Sequence, residues 1–583
     1  MCGFTAFFST EPLEPRFRDS SPWTNLLAHR GPDGRRSFQN PTAAMHFTRL
    51  SILDLSERGM QPMHSRCGRY CMTYNGEIVN YRELARSYGI VPRGESDSEV
   101  LLELYALRGE SVVKELRGMF AFVVYSQNDK NVTAFRDPFG IKPLYYAQAG
   151  QTLMLASEMK VLLRALGGSP LEERRIVRFL RRGEVDNGDG TFYSRIRQLP
   201  PGHRLLWKDG VLTVRSYRED LPQTRPMGQE GEEQEAYYQK LRSVTREYLH
   251  ADVPVGVGLS GGFDSSLLAH LVSAGGDPKK TLMFTRGYKE YEGNEMEAAS
   301  EVSRRFGFDF QPVILDPEEV PGLLPEVSRR QEHPVTSVSI LAYDKLYRTA
   351  RSRGIQVLLE GHGGDEIWAG YAAYADPNVQ ARSHDGSSFR MNDEILKEKT
   401  AEEPASKPPA ERSLTRRQWD DLLGAKLQRS LRFVDRASMA HGVEVRVPYL
   451  DTALALPALT LPDEWKVRDG QLRSFVRRMA EPYLGKELAV RPKVPVQDPQ
   501  RKWLQNELRE FVRDRLASRG LWIEAWVDVP LLRRRYEEFL ANPSSFDNLT
   551  FVMFPLFLEE WAGAMRGYAA PERESALDGA GVR

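Results

Sequence analysis

The 583-residue sequence contains only three cysteines, Cys2, Cys67 and Cys71, which are too few for a disulfide framework. No second Cys or His pair near Cys67 and Cys71 completes a tetrahedral metal site, so we expect both to be buried thiols. The sequence also lacks an apolar run of roughly 20 residues, the length that spans a membrane, and a secretory signal. These absences favour a cytoplasmic location.

Net charge is absent as well, because 80 Lys and Arg residues balance 80 Asp and Glu residues. A chain without net charge has no global field that attracts nucleic acid or a membrane surface, so we expect neither as a partner. The sequence has no internal repeat. Its 41% hydrophobic and 27% charged residues are typical of a globular protein, and its length favours two to four domains.

Two patterns of secondary structure divide the chain. Up to residue 217, short strands separated by Gly, Asn and Asp predict a layered antiparallel β domain. These strands are 70–74, 120–125, 132–135 and 144–147. From Val253 onward, strands alternate with helices, which predicts a parallel sheet with ligands at the carboxyl ends of its strands. These strands are 253–259, 281–285, 308–315 and 355–359.

Three segments are polar and lack periodic apolar residues. Residues 218–235 are predicted to be a linker, residues 376–413 a mobile insertion, and residues 571–583 a disordered tail. The second domain therefore extends over 236–570, and its helix-rich part after residue 415 should pack against the parallel sheet.

Cys2 directly follows Met1, and removal of Met1 would leave a thiol and a free α-amine on one residue. An α-amine that titrates near pH 8 can act as the base for a thiol that titrates near pH 8.5. A cysteine at this position alone is more often an incidental thiol. Here, however, it begins a series of spaced motifs: Cys2–Phe4, His29–Asp33, Arg49–Ile52, Tyr74–Glu77, Glu95–Asp97 and Arg136–Gly140.

With these motifs, residues 1 to about 210 resemble the class II glutamine amidotransferase domain, an N-terminal-nucleophile hydrolase with an αββα sandwich. The resemblance implies that Cys2 attacks the side-chain amide of glutamine. It also implies that the Asn75 side-chain amide and the Gly76 backbone N–H form the oxyanion hole, whose donors each contribute roughly 10²–10³ in rate.

The same resemblance assigns the remaining glutamine-binding residues. Arg49 would bind the α-carboxylate of glutamine, a task to which the forked guanidinium is better suited than lysine. Asp97, with Glu77 nearby, would hold the substrate's ammonium group. Each of these charges alone is typical of a solvated surface, and only the set of motifs favours a binding site.

A second candidate site lies in Leu259–Ser266, which joins a predicted strand to a helix. Gly261 and Gly262 let backbone N–H groups approach phosphate oxygens, and the helix N-terminus favours an anion. Further donors come from Ser260, Ser265 and Ser266. No lysine follows the glycines, so this is not a Walker loop. Asp264 stands there instead, and an acid beside a polyanion implies an intervening Mg²⁺.

A second acidic turn, Glu360–Glu366, ends a later strand of the same sheet, so Asp365 can share the metal with Asp264. The two motifs resemble the ATP pyrophosphatase (PP-loop) domain, and segment 435–451 narrows the resemblance to the synthetase domain of asparagine synthetases. Such enzymes cleave ATP between the α and β phosphates, form an acyl-adenylate that ammonia attacks, and release AMP.

The fold that this resemblance implies is mixed α/β and α+β: an αββα sandwich followed by a parallel-sheet α/β PP-loop synthetase domain. It implies that backbone groups of Leu259, Arg286 and Gly361 hold the nucleotide, with Glu360 in the same ATP site. Lys493 matches the family lysine that neutralises charge during adenylation. We expect glutamine, ATP and a carboxylate acceptor as ligands, and a homodimer is one possible assembly.

The acidic turn departs from the family, where it reads Ser-Gly-Glu-Gly-Ser-Asp-Glu. His362 replaces the first glutamate, and Glu360 replaces the serine. An imidazole cannot reproduce a carboxylate at a substrate ammonium, although it can act as a base. The default acceptor is aspartate, and the alternative is another carboxylate of secondary metabolism.

Two further alternatives remain at this stage. An intramolecular amide-forming cyclase would share the architecture but would not need the thiol. A catalytically inactive binding protein would need neither nucleophile nor metal residues. The presence of Cys2, Arg49, Asn75 and Asp97 argues against the cyclase, and the presence of both complete sites argues against the binding protein.

Overall fold

The computed structural model describes residues 2–186, 188–221, 228–376, 390–397, 412–492, 498–546 and 548–568. Two six-stranded antiparallel sheets form the first part of the chain. The sheet β10-β8-β9-β1-β3-β2 comprises β1 Gly3–Ser9, β2 Gly34–Gln39, β3 Ala43–Arg49, β8 Tyr145–Ala149, β9 Thr152–Ala156 and β10 Arg197–Gln198. The sheet β12-β11-β7-β6-β5-β4 comprises β4 Met63–His64, β5 Tyr70–Ile78, β6 Gly118–Ser126, β7 Val132–Arg136, β11 His203–Lys208 and β12 Val211–Ser216.

The inner faces of these sheets pack on each other. Phe4 and Phe8 of β1 share one buried cluster with Val123 of β6 and Trp207 of β11. Phe7, between them in sequence, points to the other face and packs against helices, as the alternation of a strand requires. The helices of this half are Pro15–Arg18, Ser21–Leu26, Tyr81–Ser87, Asp97–Arg108, Met159–Leu166 and Glu173–Arg182. The predicted αββα sandwich is confirmed.

The second half contains a five-stranded sheet of order β15-β14-β13-β16-β17, in which each neighbouring pair is parallel. Its strands are β13 Val255–Gly258, β14 Leu282–Tyr288, β15 Asp309–Leu315, β16 Val357–Leu359 and β17 Glu444–Arg446. The predicted parallel sheet is confirmed. The sequence did not predict β17, which has only three residues.

Helices surround this sheet. Those before the acidic turn are Glu230–Tyr248, Phe263–Gly275, Met296–Phe306, Val320–Gln331 and Ser339–Ser352. Those that follow are Gly364–Ile367, Ala372–Ala375, Arg390–Ile395, Leu414–Leu423, Ala425–Met439, Thr452–Thr460, Asp463–Lys466, Ser474–Val490, Gln500–Gln505, Arg509–Ala517, Val529–Ala541 and Thr550–Met565. Because the connections between parallel strands are helical, both faces of the sheet are covered.

Buried ion pairs join the two halves. Arg30 donates to both carboxylate oxygens of Asp435, at 2.8 and 3.1 Å, and also contacts Glu158 at 3.0 Å. Arg436 contacts Glu158 at 2.9 Å from the other side. The side chains of all four residues are at most 4% exposed. The halves are therefore joined by charges that are removed from water.

The structure adds to one prediction and corrects another. Residues 390–397, inside the predicted mobile insertion 376–413, include the helix Arg390–Ile395, and Ile395 and Leu396 are buried in the core. The sequence did not predict this helix, because Met391 and Ile395 are its only apolar residues. Cys67 is exposed, whereas Cys71 is buried as expected.

Other predicted segments are only partly described. The last six residues of the predicted linker 218–235 belong to the helix that begins at Glu230, whose acidic first turn suits a helix N-terminus. Residues 222–227 and the predicted tail 571–583 lie outside the described residues, and so do most of 376–413.

Within the described ranges, no helix is both long and apolar enough to cross a membrane.

Candidate functional site

Cys2 immediately precedes β1, and its side chain lies in the core between the two antiparallel sheets, 9% exposed. Its Sγ lies 4.0 Å from the carbonyl oxygen of Leu50. Its backbone nitrogen donates to Asn75 Oδ1 at 3.0 Å, and its carbonyl accepts from Arg30 Nε at 3.2 Å. Burial raises the pKa of the Cys2 thiol. A nucleophile in this environment therefore needs a base within reach.

Asn75 and Gly76 lie in β5, opposite Ala121 and Phe120 of β6. Asn75 is fully buried, and its Nδ2 has no hydrogen-bond partner among the residues that the structure describes. Buried amide donors are normally paired, so an unpaired one beside the thiol is suited to a substrate oxygen. A Cβ at Gly76 would lie 2.1 Å from the Met119 carbonyl oxygen, so only glycine fits there.

Replacing Asn75 with alanine should lower kcat for glutamate release by roughly 10²–10³, with little change in KM for glutamine. The reason is that its unpaired Nδ2 would contact the oxygen only when negative charge develops on it. Asn80→Ala is the matched control, since among the described residues the Asn80 side chain bonds only backbone atoms of Glu115 and Arg117. A kcat near the wild-type value in Asn75→Ala would contradict this role.

Arg49, the last residue of β3, holds the loop that follows it. Its guanidinium donates to the carbonyl oxygens of Ser56 at 2.5 Å, of Leu53 at 3.3 Å and of Asp54. Its charge also acts on the Cys2 thiol, opposing the effect of burial on the thiol pKa. The structure thus brings Arg49 to the nucleophile, and its contact with the α-carboxylate of glutamine stays a prediction.

Asp97 and Glu77 form a pair of buried carboxylates. Asp97 accepts hydrogen bonds from the Tyr74 hydroxyl at 2.7 Å and from the Ile78 N–H at 2.9 Å. Burial raises the pKa of both carboxyl groups, and the charge of Asp97 raises that of Glu77 further. Arg446 Nη2, from the other half of the chain, lies 3.3 Å from Glu77 Oε2 and opposes this rise. The pair is suited to a bound cation such as an ammonium group.

The predicted phosphate loop connects β13 to the helix Phe263–Gly275. Gly261 has φ +74°, and a Cβ there would lie 2.7 Å from the backbone of Ala298, so the loop requires glycine. Ser260 Oγ and Ser265 Oγ are 3.0 Å apart, and Ser265 Oγ donates to the Gly262 carbonyl at 3.1 Å. These contacts fix the loop at the N-terminus of a thirteen-residue helix.

The ends of the loop are also fixed. The Leu259 N–H donates to the Phe284 carbonyl of β14 at 2.8 Å, and the Ser266 hydroxyl donates to the Gly261 carbonyl at 3.5 Å. The loop therefore lies at the carboxyl end of β13, where nucleotides bind in open parallel sheets.

The structure brings Asp264 and Asp365 together. Arg473 Nη2 donates to Asp264 Oδ2 at 2.7 Å and also contacts Asp365 Oδ1. A Cβ at Gly364 of the acidic turn would lie 3.0 Å from Asp264 Cγ, which shows how closely the turn approaches the loop. Arg473 itself has φ +58° and is 3% exposed.

Two converging carboxylates fit Mg²⁺, which usually binds one or two carboxylates together with substrate phosphates. Within the described part of the chain no group of three or more His, Cys, Asp and Glu side chains could hold a metal alone. A metal at this position would therefore depend on Asp264, Asp365 and the phosphates of a bound nucleotide.

Glu360 and His362 form a hydrogen-bonded pair at the start of the acidic turn. His362 Nε2 lies 2.7 Å from Glu360 Oε2, and His362 Nδ1 lies 3.4 Å from Ser430 Oγ. The second oxygen of Glu360 accepts from the Tyr347 hydroxyl at 3.0 Å. Both oxygens of Glu360 are thus engaged by protein groups.

Arg286 lies in β14, with its guanidinium 4.4 Å from the centre of the Tyr343 ring and 3.9 Å from Glu295. The structure therefore places this residue in the parallel sheet, and its contact with a nucleotide stays a prediction. Lys493 lies outside the described residues, and its role stays a prediction.

Sequence reasoning missed Arg473 and Arg446. Both are buried arginines with at least one charged partner more than 100 residues away along the chain: Asp264 and Asp365 for Arg473, and Glu77 for Arg446. No local pattern marks such residues, since an isolated arginine in a sequence is typical of a solvated surface.

Comparison with known proteins covers most of the chain. The family model described as "Glutamine amidotransferase domain" matches residues 1–218, and the model described as "Asparagine synthase" matches residues 236–563. Asparagine synthetase [glutamine-hydrolyzing] 1 of Bacillus subtilis is 27% identical over 574 residues, 88% of this chain and 89% of its own length. Asparagine synthetase B of Escherichia coli is 26% identical over 85% of this chain and 82% of its own length. Amidase chry2 of Gibberella zeae is 31% identical, covering 66% and 61%.

Proposed function

Because this chain belongs to the asparagine synthase family and carries a glutamine amidotransferase domain, we propose that it is a glutamine-dependent, ATP-dependent ligase. It hydrolyses glutamine to ammonia and forms a carbon–nitrogen bond by amidating a carboxylate through an acyl-adenylate, with release of AMP and pyrophosphate. One observation carries this proposal: the backbone of the buried Cys2 bonds the side chain of Asn75, whose amide nitrogen is unpaired among the described residues, in the same chain in which a phosphate loop faces an acidic turn.

In the first reaction, the Cys2 thiolate attacks the side-chain carbonyl carbon of glutamine. Asn75 Nδ2 and the Gly76 N–H stabilise the negative charge that develops on the carbonyl oxygen. Arg49 binds the α-carboxylate, and Glu77 and Asp97 bind the ammonium group. Ammonia leaves, and water then releases glutamate from the thioester.

In the second reaction, the backbone of Ser260–Ser266 binds the phosphates of ATP. Asp264 and Asp365 would hold Mg²⁺, which supplies positive charge that offsets the phosphate charge. The acceptor carboxylate attacks the α-phosphorus and displaces pyrophosphate, and Lys493 neutralises the charge that develops. Arg473 adds a fixed positive charge between the two aspartates. Ammonia then attacks the acyl carbon, and AMP leaves.

We further propose that His362 is the base that accepts a proton from the attacking ammonia. Glu360 Oε2 orients the imidazole, at 2.7 Å from its Nε2. Replacement of His362 by asparagine should lower amide formation by about 10² or more, the typical contribution of a general base, without changing glutaminase kcat. An unchanged rate of amide formation would exclude this role. Ser430→Ala is the control, since it removes only the longer 3.4 Å contact.

L-Aspartate is the default acceptor, by analogy with the asparagine synthetases. A second candidate is an amidotransferase that acts on another carboxylate, because Glu360 is engaged by Tyr347 and His362 and because two fungal relatives are named amidases. A panel of carboxylic acids, measured by pyrophosphate release, distinguishes the two.

The proposed reaction predicts its products. With glutamine, MgATP and the preferred acceptor, we expect glutamate, AMP, pyrophosphate and the amide, with AMP and pyrophosphate in equal amounts. Chromatography of the nucleotides tests this directly. ADP in place of AMP would contradict the acyl-adenylate. A cytoplasmic location and assembly as a homodimer stay predictions, which fractionation and light scattering can test.

A further inference from the structure

Arg446 is the residue in which contacts from the two proposed sites meet. Its side chain is fully buried at the junction of the two halves. Nε donates to Glu444 Oε1 at 2.6 Å, and Nη1 donates to the carbonyl oxygens of Tyr248 and His250 at 2.8 and 2.7 Å. Nη2 lies 3.3 Å from Glu77 Oε2 in the glutaminase half.

The backbone of the same residue belongs to the synthetase site. Arg446 is the last residue of β17, and its carbonyl oxygen accepts from the Glu360 N–H at 2.9 Å. Glu360 begins the acidic turn and binds His362 through its side chain. Arg446 thus contacts a predicted glutamine ligand through its side chain and the acidic turn through its main chain.

The connection can respond to a ligand of Glu77, because Arg446 Nη2 is held less firmly than the other two guanidinium nitrogens. Nη2 is buried and makes no hydrogen bond of regular geometry within the described residues, whereas Nε and Nη1 are fully engaged. Its contact with Glu77 is therefore the adjustable one. When Glu77 shifts towards a substrate ammonium, the distance or angle of its ion pair with Arg446 must change. Both charged groups are buried, so neither can be solvated by water instead.

We propose that Arg446 is a positioning residue that couples occupancy of the glutamine site to the conformation of the acidic turn. This inference rests on the proposed function, and it adds a thermodynamic linkage between the two sites. Movement of Glu77 is transmitted through the Arg446 guanidinium to β17, and from its carbonyl to the Glu360 N–H. By reciprocity, MgATP on the turn must change glutamine affinity by the same factor.

The linkage can be measured without turnover in Cys2→Ala protein, which binds glutamine but cannot hydrolyse it. We define the linkage ratio as the Kd for MgATP without glutamine divided by that with saturating glutamine. We expect a ratio of about 5 or more, the lower end of typical allosteric couplings. In Cys2→Ala/Arg446→Lys the ratio should fall to about 1, because lysine cannot make all four side-chain contacts of Arg446 at once.

Arg117→Lys in the same Cys2→Ala background is the matched control. Arg117 also joins the halves, through Asp451 at 2.9 Å and Glu247 at 2.5 Å, but in the described part of the chain its side chain pairs with neither a predicted glutamine ligand nor the acidic turn. Its variant should keep the full ratio. A merely structural role of Arg446 would lower thermal stability without changing the ratio, so both quantities are recorded.

Two results would overturn the inference. The first is a ratio of 1 in Cys2→Ala protein itself, which needs no Arg446 variant to fold. The second is a full ratio in the Arg446→Lys variant. Failure of the proposed function is distinguishable, because MgATP would then not bind to Cys2→Ala protein, with or without glutamine.

Discussion

Cys2→Ala should abolish glutamine-dependent amide formation, by about 10⁴-fold or more, while leaving ammonia-dependent amide formation unchanged. Burial raises the pKa of the Cys2 thiol, so little thiolate exists at neutral pH without a base. In the proposed mechanism the α-amine freed by removal of Met1 supplies that base, and alanine supplies no nucleophile for it to activate. Glutamate release and amide formation, each measured with glutamine and with ammonium chloride, test this result.

Cys67→Ala is the matched control, because Cys67 is an exposed thiol outside the core that contains Cys2. It should keep full glutaminase activity. Comparable glutamate release by Cys2→Ala protein would show that another group is the nucleophile. Mass spectrometry that finds Met1 retained on the active protein would exclude the α-amine as base.

Asp264→Asn should strongly slow the ATP-dependent reaction of the synthetase half. We expect acceptor-dependent pyrophosphate release to fall by about 10²–10³, equivalent to several kcal/mol of lost charge stabilisation, while glutaminase kcat stays unchanged. The physical reason is that the Asp264 and Asp365 carboxylates, which both contact Arg473 Nη2, would together hold Mg²⁺, for which a neutral amide cannot replace a carboxylate.

Asp316→Asn provides the comparison. Asp316 also follows the carboxyl end of a strand, but its carboxylate pairs with Lys289 on the surface at 2.7 Å. Pyrophosphate release should be the same as in the wild type. If Asp264→Asn protein released pyrophosphate at the wild-type rate, the assignment of the phosphate loop would be wrong.

The architecture was predictable from sequence where patterns are local. The apolar run before Leu259 and the strand-helix alternation after it predicted a parallel sheet, because such strands are buried on both faces. The helix at 390–395 was not predictable, since its burial depends on contacts with residues near 180 and 550. β17 is too short for periodicity to reveal it.

In the candidate sites, too, residues marked by a local motif were predictable, and residues defined by distant contacts were not. Gly261 and Gly76 stand where a Cβ would meet backbone atoms, and motif spacing was enough to select both. Arg446 lies inside segment 435–451, which carries the family resemblance, but its role and that of Arg473 could not be selected, because both depend on charges from distant segments. Asn75 could be assigned by resemblance, but the absence of a partner for its Nδ2 is a three-dimensional fact.

Arg30 binds the carbonyl oxygen of Cys2 and the carboxylate of Asp435 with one guanidinium. Separation of the two halves would remove Asp435 from Arg30, which would keep Glu158 as a carboxylate partner. The guanidinium that holds the Cys2 carbonyl would thereby lose one of its two acidic supports. The geometry of the ammonia-producing half therefore depends in part on the half that consumes ammonia.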